Sequence, residues 1–218
     1  MRHTERDVAG GVLLIAGSLA GMFVMVLHPT AHHLIAGQGG DSSAHLNVMV
    51  HSLAIASLPV VFTGLLGLSR RLGFTDLTIA ALVAYGFGAV AVMSAAVASG
   101  FVATPLVAKL LAADAGSRDV PNALLDYTGL LNQGFARVHV VAASAAILLW
   151  SAEILRGRRM PRAAGIVGVL VGTALLLAVL LGHLHLDVHG FGVVVFAQSG
   201  WMIWTGALLC REGSTHRG

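Results

Sequence analysis

Eleven histidines stand among the 218 residues, and their placement is more informative than their number. His28, His32, His33, His45, His51, His139, His183, His185 and His189 fall at or near the ends of apolar runs, opposite the ends that carry arginine. Imidazole is the commonest metal ligand, and its charge changes close to neutral pH. A histidine cluster at one end of several runs therefore points to metal ligation or to chemistry that responds to protons. The densest stretch is His183-Leu184-His185-Leu186-Asp187-Val188-His189. If a helix continues through it, His185 and His189 share a face, and Asp187 can orient one ring from behind. His51 and His139 sit several residues inside apolar runs. An ionisable group is costly there without a partner, which makes each a functional candidate by default.

Counting along the helix from the nearest arginine gives each histidine a depth. His51 is 19 residues from Arg70 and His139 is 17 from Arg156. At 1.5 Å per residue these are about 28 and 26 Å. His28 to Arg6, His183 to Arg162 and His189 to Arg211 come to about 33, 31 and 33 Å. Histidines from five runs thus fall in a slab about 7 Å thick. The candidate metal ligands are His28, His51, His139, His185 and His189. His32, His33 and His45 flank the Gly-rich segment Ala36-Gly37-Gln38-Gly39-Gly40 and read as rim residues, while His3 and His216 are terminal.

Three metal readings fit. Met25 near His28 and Met49 near His51 would add thioether to imidazole, a combination that suits copper. Haem b is second, with His51 and His139 as axial ligands at matched depth and Arg137 binding a propionate as the cofactor-binding residue. Zinc on three histidines with an open position is third. Arg137 shares a helix face with Gln133, and its alternative role is to reach for the outer surface. The only cysteine, Cys210, excludes an intrachain disulfide and any paired-cysteine motif. Neither HExxH, GxSxG nor a phosphate-binding loop occurs. An enzymatic role, as a membrane oxidoreductase, stays open.

The elements that carry these residues are membrane helices. The chain is 56% hydrophobic and only 11% charged, with a mean hydropathy of +0.84. A soluble domain carries roughly a quarter charged residues. About 20 apolar residues cross a hydrocarbon core of about 30 Å. An all-α bundle of six spans follows, near residues 8–27, 46–68, 77–102, 130–155, 163–182 and 190–209, forming a single domain. The first run is long enough to span and reads as a membrane helix, not a cleaved signal. The long break over 103–129 holds a stretch, Pro105–Ala113, that reads as a short surface helix. Ten of the thirteen Lys and Arg residues lie on the side of the termini, Arg70 and Arg156. This bias predicts cytoplasmic termini, a multi-pass protein of the inner membrane, and histidines at the outer face.

Three two-helix hairpins form a weak repeat. His51 precedes Phe62-Thr63-Gly64, and His139 precedes Trp150-Ser151-Ala152, by the same 11 residues; Trp204-Thr205-Gly206 echoes them in the last span. Pro59 predicts a kink inward of His51. Glycines inside the apolar runs suit close helix packing. The basic residues form no stripe with interleaved aromatics, so nucleic acid is not an expected partner. Membrane lipid is, and so is a second copy or a larger membrane complex. The leading expectation is a histidine-ligated metal centre at the outer face, for redox work or metal handling. The alternatives are a small transporter with a pH-sensitive vestibule, and an accessory subunit.

Overall fold

A computed structural model describes residues 3–29 and 40–215; His32, His33, most of the Gly-rich segment and His216 lie outside the described residues. All regular structure among the described residues is helical. The helices are α1 (His3–Leu27), α2 (Gly40–Leu72), α3 (Asp76–Ala96), α4 (Ala103–Ala112), α5 (Asp119–Arg156), α6 (Arg162–Leu180) and α7 (Val188–Thr215). A π-helical turn, Val97–Val102, joins α3 to α4, so that Asp76–Ala112 is one continuous span. Among the described residues six helices are long and apolar enough to cross a membrane. This is the expected count.

Two spans differ from their expected bounds. The third continues to Ala112 and the fourth begins at Asp119. The stretch expected to lie on the surface as a separate helix is instead the end of the third span, packed against α5. At 38 residues α5 is about 57 Å long, well beyond the hydrocarbon thickness. Its first turns and α4 therefore form a helical arm past the histidine end of the bundle.

The short turns at the arginine end are built by local chemistry. Gly73 and Phe74 both have positive φ, 103° and 49°, and the amides of both donate to the Ser69 carbonyl. This closes α2 in the left-handed cap that glycine favours. Thr75 then caps α3 by accepting from the Thr78 amide. Its hydroxyl donates to Glu153 Oε2 at 2.9 Å, tying this turn to the end of α5.

The helices assemble as two layers of three. α1 packs closely between α2 and α7, and α5 packs closely between α3 and α6. The layers meet more sparsely, through α2 with α3, α6 with α7, and contacts among α2, α5 and α7 in the middle. The repeat of three equal hairpins is not the architecture, since α6 sides with α5 and α7 with α1. Leu65, Leu68, Ile147, Trp150, Ile154 and Leu209 form the core of the arginine half. Trp150 stacks on Trp201, not on Trp204, at 6.5 Å, and its Nε1 donates to Ser69 Oγ. The histidine half is more open.

Candidate metal site and membrane chamber

His28 directly follows α1 and His51 faces it from α2. Their Nε2 atoms are 3.2 Å apart and the rings meet edge to face with centroids 4.8 Å apart. The other nitrogen of each ring is committed. His28 Nδ1 donates to the Pro29 carbonyl at 2.9 Å, and His51 Nδ1 donates to the Asn47 carbonyl at 2.7 Å. A carbonyl only accepts, so both Nδ1 atoms carry the proton and both neutral rings present an Nε2 lone pair. Two lone pairs facing each other at 3.2 Å repel. A cation between them, whether a proton or a metal ion, turns that repulsion into attraction.

The spacing also has a metal meaning. Nitrogens about 2.0–2.1 Å from a tetrahedral ion stand about 3.3 Å from each other along the tetrahedral edge. A ring nitrogen held by a backbone carbonyl, with the other free, is the usual arrangement behind a ligating histidine. Burial lowers the His28 pKa, against a smaller opposing effect from its bond to Pro29, which favours the neutral, ligating form. Met25, one turn before His28, lines the same pocket of about 130 Å³. Met49 is 56% exposed and faces away.

The π turn builds the back of this pocket. Gly100 lies so close to His51 that an added Cβ would stand 2.5 Å from the His51 Cβ. Asn47 Nδ2 donates to the Ser99 carbonyl and to Thr104 Oγ1, at 3.1 and 2.9 Å, and so pins α2 to the irregular segment. Thr104 in turn donates to the Gly100 carbonyl. Asn47, Gly100 and the turn itself were not singled out from the sequence. Their signal is Pro105, whose missing N–H and ring disturb the helix one turn earlier.

The remaining candidates are placed differently. His139 is buried in α5, and its Nδ1 donates to the Gly88 carbonyl at 3.0 Å. Its ring leans on Phe191, with Gln198 as a polar neighbour. The bond from Trp150 to Ser69 fixes the register of α5 against α2. His51 is 18 residues from Ser69 and His139 only 11 from Trp150. The difference sets His139 about 10 Å deeper than His51. The two are therefore not at the matched depth on which the haem reading rested.

His183, His185 and His189 are exposed. Residues 183–187 are not helical, so His185 and His189 do not share a helix face. Asp187 does not orient a ring either: its Oδ1 accepts from the Gly190 amide and caps α7. Arg137 is exposed, on neither cavity wall. Gln133, its expected neighbour, donates to the Leu186 carbonyl and secures the loop before α7. Of the five candidate ligands the fold brings two together. Among the described residues no group of three or more His, Cys, Asp or Glu side chains stands at metal-holding distances.

Below the His28–His51 pair lies a second cavity of about 110 Å³, between the two layers. Val24, Met25, Ala54, Val92, Ala96 and Phe191 border both, so the two spaces share a wall. α2 runs through Pro59 beside it, leaving the Ile55 carbonyl without its helical donor. The lining is apolar except for Ser18, Ser57, Tyr85, His139, Gln198 and Ser199. Ser18 Oγ and Gln198 Nε2 are buried with no hydrogen-bond partner. Compared with known protein families, with curated proteins and with solved structures, the chain matches none.

Proposed function

We propose that this multi-pass membrane protein binds a transition-metal ion at the His28–His51 pair and serves metal handling or redox work at that face of the bilayer. The observation that carries the reading is the pair of carbonyl-held imidazoles whose free nitrogens face each other at tetrahedral-edge distance. Copper(I) is the ion that suits the donors best, because Met25 adds a soft thioether to two imidazoles in a mainly apolar pocket. Zinc, completed by water, is the harder-ligand alternative. His139, His185, His189 and Arg137 are not part of this centre. The arginine bias supports an inner-membrane location with the pair at the outer face.

A second reading rests on the same contact. A proton shared between the two rings would also relieve the facing lone pairs and would suit a pH-responsive transporter. One measurement separates them. The purified protein is loaded with copper(I) or zinc, freed of excess ion and assayed for metal by mass spectrometry. The proposal expects one ion per chain, reduced at least tenfold in occupancy by His28→Ala or His51→Ala and unchanged by His185→Ala. Metal retention that ignores the first two substitutions ends the metal reading, and no retention at all leaves the shared proton.

A further inference from the structure

The inner cavity is a site in its own right, and its polar groups fall on one level of the bundle. Several contacts set the register. Met25 lies against Gly192 and Gly11 against Gly206, so α1 and α7 run antiparallel with paired numbers summing to about 217. Ser18 and Gln198 are then within two residues of the same height. Gly17 against Val61 and the Ser69–Trp150 bond bring Ser57 and His139 to that height as well. The level is about 20 Å from the arginine end, counted from Ser57 to Arg70, which is inside the hydrocarbon core.

Two donor atoms at this level have no partner in the protein. Ser18 is 2% exposed and Gln198 is 4% exposed, both border the cavity, and Ser18 Oγ and Gln198 Nε2 make no hydrogen bond. A buried polar group left in this state is destabilising. Both are donors, and both come from the α1–α7 layer. From the other layer, His139 holds its Nδ1–H on Gly88, which leaves Nε2 unprotonated and facing the Gln198 side chain. No charged residue borders the cavity. A charged ligand would lose its hydration without compensation.

These features specify a ligand: neutral, soluble in the bilayer, flat enough for an aromatic- and Met-lined space, and bearing oxygen acceptors on one side. A cavity of about 150 Å³ holds a benzene ring. The inner cavity alone, at about 110 Å³, is smaller than this, and the adjoining cavity of about 130 Å³ supplies the remaining room. We infer that the chamber bounded by Ser18, His139 and Gln198 binds a quinone or hydroquinone head group. A quinone carbonyl accepts from Ser18 and Gln198, and a hydroquinone hydroxyl can donate to His139 Nε2. On this reading the ligand enters from the bilayer through the loosely packed seam between the two layers. The site extends toward the metal pair, with which it shares a wall, but makes its polar contacts without His28 or His51.

Decylbenzoquinone is the probe. Protein in lipid nanodiscs is titrated with it, and binding is read from quenching of tryptophan fluorescence, with Trp201 beside the chamber residue Met202. The expected result is saturable binding of one molecule per chain, weakened about tenfold by Gln198→Leu and measurably by Ser18→Ala. His28→Ala should bind the probe as the wild type does, so that loss of the metal reading and loss of this one are distinguishable. Ser18→Ala removes one atom and serves as the control should Gln198→Leu fail to fold, which its thermal unfolding midpoint in detergent would reveal. No saturable binding by the wild type, as expected if water alone occupies the chamber, overturns the inference. So does binding that neither substitution changes.

Discussion

At the scale of single residues, the metal proposal depends less on the histidines than on what fixes their tautomers. Imidazole can carry its proton on either nitrogen, and only the carbonyls of Pro29 and Asn47 force both free lone pairs into the same space. Position matters equally, because a shift of one ring by an ångström leaves no common point for an ion. Gly100 is the residue most exposed to this argument. Its replacement by Ala would put a methyl 2.6 Å from His51 Cγ, and the ring must move. Gly100→Ala should therefore lower metal retention about tenfold while leaving a folded protein. Gly86→Ala, on the same span, meets only the Phe62 ring at 3.7 Å and should bind metal like the wild type. Equal retention in both variants would detach the π turn from the site. His28 and His51 could be named from the sequence, since a histidine inside or ending an apolar run stands out. Asn47 and Gly100 could not, because a contact between spans depends on register that no local pattern records.

At the scale of elements, close backbone approach decides how α1 sits. Gly10 and Gly67 meet with so little space that a Cβ on either would stand 2.7–2.9 Å from the other's Cα. Gly64 faces the backbone of Leu14 in the same way, with a Cβ reaching only 2.6 Å from its nitrogen. Without a hydrophobic drive between helices in lipid, such packing is a main source of association. Gly64→Ala should thus destabilise the bundle by about 1–3 kcal/mol, the usual cost of overpacking. Thermal unfolding in detergent measures it, and an unchanged midpoint would show that α1 can slide away freely. Gly21→Ala, which meets nothing within 4 Å, is the matched control. The glycine-rich faces were legible as packing surfaces, though their partners were not. Hydropathy also located every span. It misjudged the third and fourth, because Pro105 and Lys109 mark Ala103–Ala112 as a separate surface helix and residues 119–129 are polar enough to read as loop, whereas the two segments support each other as a helical arm. The even 11-residue spacing after His51 and His139 suggested equal depth. Ser69 rather than Phe62 stands level with Trp150, and that seven-residue offset removed the matched depth behind the haem reading.

At the scale of the whole molecule, two triplets of helices pack tightly within themselves and loosely against each other, and both cavities lie in the loose seam. The histidine end opens into that seam, while the arginine end is closed by Leu65, Trp150, Ile154 and the short turns at Gly73 and Gly157. A metal or quinone bound in the upper half therefore exchanges with the histidine side or the bilayer, and its biological meaning depends on which compartment that side faces. Ten basic residues against three predict that the arginine end is cytoplasmic. Alkaline phosphatase, which is active only outside the cytoplasm, tests this when fused after chosen residues. Fusion after Asp114 should be active, and fusions after Gly73, Gly157 and Gly218 should be inactive, with a fluorescent protein giving the opposite pattern. The reverse result would put the His28–His51 pair on the cytoplasmic side. Its geometry would stand unchanged, but it would then face the reducing compartment, where thiols compete for copper(I) and zinc alike. Orientation thus decides whether the pair can acquire its ion from outside the cell or must compete for it within.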